Sequence, residues 1–274
     1  LRRDAGHKAD VVELRALHRR AEVAGVHERR AVRDAAGLGG VVVAQDDEVV
    51  VLVARDAAAA AHALHAGRDG AAVRDPSAKC DPEKQALTVG GRPLGYKKHL
   101  YVMLNKPAGI LCVSRDPKAA TVVDLLPPAL RRRGMFPAGR LDKDTHGLVL
   151  LTDDGDYAHR MLSPKKAIFK RYQAVLDGPA DDRHVALFHE GTSLEDGTRC
   201  LPAKLTILRA GDRPLVEVEI CEGKYHQIKR MFEAVGRKVL WLKRYAIGGL
   251  VLDPSLPEEK CRELTPEETA SVFF

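Results

Sequence analysis

The five cysteines, Cys80, Cys112, Cys200, Cys221 and Cys261, include no CxxC pair and no histidine at zinc-ligand spacing. That argues against a zinc ribbon or a disulfide framework and predicts free thiols in a reducing, cytoplasmic compartment. There is no run of about eighteen apolar residues, which excludes a transmembrane helix. The first twenty residues are heavily charged, the opposite of a secretory leader, and the chain opens on Leu1 rather than Met, as a trimmed start would. Asp153, Asp154 and Asp156 lack the alternating ligand order of a calcium loop and read as turn and N-cap acids.

What is present is basic charge in clusters. The 274 residues can bury one large core or two, and they carry a formal charge of +6. Arg131–Arg133, Lys165–Arg171, Lys224–Arg230 and Arg237–Arg244 hold much of the positive charge. A single run of this kind is usually a solvated face; several together form the footprint that a polyphosphate ligand requires.

Organisation changes near residue 95, so the sequence predicts an N-terminal domain over 1–95 and a second over 96–274. In the first, Val41–Val43 and Val49–Val53 read as a hairpin, and residues 55–66 as a helix closed by Gly67. From Leu100 onward, segments 101–104, 109–113, 147–152, 172–176, 201–208 and 214–220 read as strands separated by Gly, Pro and Asp turns. Two helices intervene, Tyr157–Leu162 and Tyr225–Val235. On the latter, Ile228, Met231, Phe232 and Val235 form one apolar stripe with Lys229 at its flank. Short connections and mixed elements give an α+β body with a mainly antiparallel sheet.

The segment FPAGRLDKDTHGLVLLTDDG, residues 136–155, sets the carboxylate of Asp142 in a loop that feeds an apolar strand opened by Gly147. Loops on rigid scaffolds are where catalytic groups concentrate, although an Asp in a turn also serves as a backbone hydrogen-bond acceptor. GRLDxxTxGL followed by LLTxDG resembles the central motif of the pseudouridine synthases, in the branch that modifies ribosomal small- and large-subunit RNA. Three further pieces stand in that family's order: LNKPAG at 104–109, KRY at 170–172 and EGKYHQIKRMFEAVG at 222–236.

The resemblance covers roughly His99 to Glu268. It implies a long, bent, mixed sheet with flanking helices and a central cleft, and a cofactor-free, metal-free isomerisation of uridine in ribosomal RNA, here that of the small subunit. It makes Asp142 the catalytic acid, Lys229 its cationic partner and Tyr172 the ring that meets the uracil. Arg140 would help extrude the nucleotide; Lys106, Thr145, His226, Gln227 and Arg230 would contact substrate. Residues 64–94 resemble the latter half of an S4 RNA-binding domain, whose first half is not clear in residues 1–60. The expected setting is a cytoplasmic monomer acting on a small-subunit assembly intermediate.

Three other readings stand beside this one. A large-subunit enzyme of the same branch would carry the same motifs. A noncatalytic RNA-binding or ribosome-assembly protein would keep the basic clusters without needing Asp142, Tyr172 and Lys229 together. A glycosidase-like hydrolase would need a second carboxylate opposite the first, for which Asp144 is the obvious candidate.

Overall fold

The computed structural model describes residues 97–274 throughout and, before them, residues 30–32, 41–45, 48–52, 66–73, 79–80, 85–89 and 92–93. The chain divides into two compact units, Leu1–Lys98 and His99–Phe274. In the first, strands β1 (Arg30–Val32), β2 (Val41–Gln45), β3 (Glu48–Leu52) and β6 (Lys79–Cys80) form one antiparallel sheet. β4 (Ala66–Arg68), β5 (Ala71–Val73), β7 (Leu87–Val89) and β8 (Arg92–Pro93) form another. The expected valine hairpin is β2 and β3, paired from Val41↔Leu52 to Gln45↔Glu48. Most of the expected helix at 55–66 lies outside the described residues, and Gly67, expected to close it, sits inside β4.

The second unit is built on a nine-stranded sheet. Its main path comprises β9 (Tyr101–Lys106), β11 (His146–Thr152), β12 (Lys170–Leu176), β13 (Lys204–Arg209), β14 (Leu215–Ile220), β15 (Val239–Ile247) and β17 (Cys261–Glu263). They run in the order β13-β14-β12-β15-β11-β9-β17, with β10 (Phe136–Pro137) beside β11 and β16 (Leu250–Val251) beside β15. Every pairing is antiparallel except β11 with β15, which is parallel for His146↔Lys243 and Gly147↔Arg244. Each half is an antiparallel block, and that short parallel pairing is the link along the main path.

Sequence periodicity explains the two faces. On β11, Val149 and Leu151 enter one apolar cluster while Leu148 and Leu150 enter the other, as a strand covered on both sides requires. The first cluster is roofed by α2 (Asp182–Glu190) and α3 (Gln227–Ala234), whose Phe188 and Phe232 rings lie 4.8 Å apart. Both rings are fully buried, each worth about 2–3 kcal/mol relative to exposure. The second cluster is roofed by α1 (Gly155–Leu162) and the segment around α4 (Pro266–Ser271), where Tyr157 meets Phe273. Asp154 caps α1 by accepting from the Tyr157 amide. Among the described residues, no helix is long and apolar enough to cross a membrane.

Three local expectations need correction. Residues 109–113 form no strand: Leu111 makes only an isolated bridge to Thr121, because the Asp116 side chain accepts the Lys118 and Ala119 amides and turns the chain back. The helix expected from Tyr225 begins at Gln227, since His226 takes a left-handed conformation, φ 48°, that ends the helix there. Strand β15 and helix α2 were not anticipated; the basic residues of β15 masked its alternation.

Candidate active site

The loop between β10 and β11 presents Asp142. Leu141 is buried in the first cluster and anchors the loop, while Thr145 donates its amide to the Asp142 carbonyl and closes a turn around Lys143 and Asp144. Lys106, fully buried at the end of β9, holds this turn from beneath. Its ammonium donates to the carbonyls of Pro107, Lys143 and Thr145 at 2.9, 3.0 and 2.8 Å, and the Gly109 amide also reaches the Lys143 carbonyl. Burial pushes the Lys106 pKa down, and the nearby acidic groups oppose that shift without reversing it. The turn then enters β11 through Gly147, where φ is +102° and an added Cβ would lie 2.1 Å from the Arg244 carbonyl. No other residue fits there without separating β11 from β15.

Helix α3 and its N-cap bring Lys229 and His226 to this loop. Lys229 Nζ lies 3.2 Å from Asp142 Oδ2 and 2.6 Å from Asp144 Oδ1; His226 Nε2 lies 3.7 Å from Asp142 Oδ1. Burial alone would lower the Lys229 pKa, but the two carboxylates outweigh it and the net direction is upward. The hydrogen bond from Lys229 in turn lowers that of Asp144. An ammonium charged across neutral pH therefore faces two acids. These acids sit side by side on one loop and share one cation, unlike carboxylates that flank a sugar from opposite sides.

Tyr172 is buried on β12, and no described residue hydrogen-bonds its hydroxyl. It is in register with Arg244 of β15, which is in register with Gly147 of β11. Leu141, Tyr172 and Ile228 belong to one buried cluster, so the neighbours of Asp142 and Lys229 share its packing.

The sequence reading did not single out Arg244 or Lys170. Arg244 is buried, donates from Nε to the Leu148 carbonyl at 2.9 Å, and leaves one guanidinium nitrogen without a partner. Lys170 reaches the Cys221 carbonyl, with its pKa lowered by burial first and by Arg244 second. Only the β11–β15–β12 pairing reveals that Arg244 faces inward; within the run Arg237–Arg244 it reads as surface charge.

The expected substrate contacts divide. Arg140 is exposed beside Asp142, and His226 is part-exposed against it. Lys106, Thr145 and Gln227 are buried and face the protein. All three Lys106 donors are taken, Thr145 is 1% exposed, and the Gln227 side chain accepts from the Lys224 amide while donating to Glu222. Glu222 also pairs with Lys224 and accepts the Leu201 amide, so Gln227 fixes the loop ahead of α3. Arg230 bonds Asp196 at 2.5 Å, on the rim of an open cavity of about 680 Å³ that Ser193 and Glu233 also line.

A family model described as RNA pseudouridylate synthase matches residues 100–234. The chain is 44% identical over 201 residues to an uncharacterized RNA pseudouridine synthase of Bacillus subtilis, covering 73% of this chain and 84% of that protein. It is 41% identical over 208 residues to ribosomal small subunit pseudouridine synthase A of Escherichia coli, covering 74% and 87%. A crystal structure of a pseudouridylate synthase superposes with TM-score 0.59 at 38% identity, covering 76% of this chain and 88% of that one. The chain belongs to the RNA pseudouridine synthase family.

Proposed function

We propose that this protein converts one uridine of small-subunit ribosomal RNA to pseudouridine, with Asp142 as the catalytic aspartate. The observation that carries this reading is the Asp142 carboxylate held by Lys229 and His226 in a chain 41% identical to a small-subunit enzyme. The reaction breaks the bond from N1 to C1', turns the base, joins C5 to C1', and exchanges a proton at C5 for one at N1. No electrons leave or enter. A carboxylate serves as nucleophile toward the ribose or the uracil, or as base toward a ribose proton. Each route uses the carboxylate form, and Lys229 places an ammonium 3.2 Å from it.

Tyr172 would meet the flat face of the extruded uracil, and Arg140, exposed and flanking Asp142, would assist extrusion. The 1–95 region would add RNA affinity as an S4-like domain beside the 96–274 catalytic domain. The setting proposed is a monomer acting in the cytoplasm on a partly assembled small subunit.

The test uses unmodified small-subunit RNA, free and in partly assembled particles, with carbodiimide labelling and primer extension. The native chain should mark one uridine, and Asp142→Asn should lower that rate by about 10³-fold or more with RNA affinity retained. Equal marking by both removes Asp142 from the chemistry.

A further inference from the structure

Tyr225 is 73% exposed, so its ring adds little to the core. It lies flat on the imidazole of His226, with centroids 3.8 Å and planes 18° apart. The Nε2 of that imidazole lies 3.7 Å from Asp142 Oδ1. The backbone that carries the ring pair is fixed by hydrogen bonds. His226 takes the left-handed conformation, which a non-glycine residue adopts only where local structure sustains it. The Arg230 guanidinium donates to the Tyr225 carbonyl, and its amide to that of His226. Beneath, Gln227, Glu222 and Lys224 lock the approach to the helix. The result is a preorganised aromatic face, open to solvent, one imidazole away from the carboxylate. Exposed Arg140 and Lys143 stand on the same loop as that carboxylate.

A flat neutral ring among cations, beside the place where a base is extruded, suits an unpaired nucleobase. Extruding a nucleotide exposes the faces of its neighbours, and an aromatic ring can restore stacking to one of them. We propose that Tyr225, backed by His226, is a second base subsite, on which a base flanking the target uridine stacks. This rests on the pseudouridylation reading above and adds a residue that selects the RNA around the target. Stacking is tolerant of base identity, so the subsite selects for an unpaired neighbour.

The test measures Kd for an unmodified small-subunit RNA transcript across a salt series, together with pseudouridine formation, for the full chain and for Tyr225→Phe, Tyr225→Trp and Tyr225→Ala. The Phe and Trp variants should bind within about twofold of the native chain. The Ala variant should weaken binding by about 5- to 100-fold, with an unchanged salt slope and an unchanged unfolding temperature. Native affinity in the Ala variant overturns the subsite. So does an equal loss in the Phe variant, which would assign the effect to the hydroxyl, or a slope reduced by about one, which would make the site a phosphate contact. A native chain that makes no pseudouridine defeats the functional reading instead. The two failures are thus separable.

Discussion

Two clusters in the second unit share one composition, a single cation with two carboxylates, yet they are built for different purposes. Arg262 donates from Nε to Asp253 at 2.9 Å and from its two terminal nitrogens to Glu268 at 2.8 and 2.7 Å. Its acids are committed elsewhere too: Asp253 accepts from Ser255, and Glu268 closes the capping box of α4 with Thr265. Lys229 is a point charge between Asp142 and Asp144, nearer to the latter. A planar fork fixes the partners it meets, whereas an ammonium can shift between acceptors at little cost. The arginine cluster is a clamp for the C-terminal helix. The lysine cluster has charge that can be redistributed when substrate arrives.

The largest test of that contrast is Lys229→Met. It should lower the pseudouridylation rate by about 10²-fold while RNA affinity falls far less; a loss confined to affinity would recast Lys229 as a phosphate contact. Next is Arg262→Met, which should leave pseudouridylation intact and lower unfolding free energy by about 1–2 kcal/mol after solvent screening. Acid titration sharpens it. The Glu268 carboxyl is held below its ordinary value, first by hydrogen bonds from Arg262. A depressed carboxyl stabilises above its unfolded pKa and loses that contribution as pH falls through the folded one. Native stability should therefore decline below pH 4.5, and the Met variant should decline less steeply there. Identical slopes would show that Glu268 does not depend on Arg262. The smallest effect belongs to Asp144→Asn, which frees Lys229 for Asp142. The reaction rate should change by no more than about 5-fold; a loss as large as that of Asp142→Asn would make Asp144 a member of the chemistry.

The Asp142 loop and its strand were legible because local rules act there. Gly139 and Gly147 both adopt positive φ, and the apolar run from Leu148 to Leu151 leaves one reading for β11. The approach of Lys229 to Asp142 was expected from the family resemblance. Lys106 and Gln227, expected from the motifs as substrate contacts, spend their hydrogen bonds in the fold on the backbone and the loop that hold the site. Arg244 and the left-handed His226 depend on tertiary partners. No spacing in the chain announces that a strand arginine will lie in register with a glycine, or that a helix will start two residues late.

The parallel link between β11 and β15 extends for only two residue pairs, and one of them includes Gly147. Long antiparallel ladders make each half stiff, so this narrow join is where the platform yields most readily to bending. Asp142 stands five residues upstream of that glycine. Under the reading proposed above, a load that RNA placed on either half of the sheet would bear on the join that leads back into the Asp142 loop.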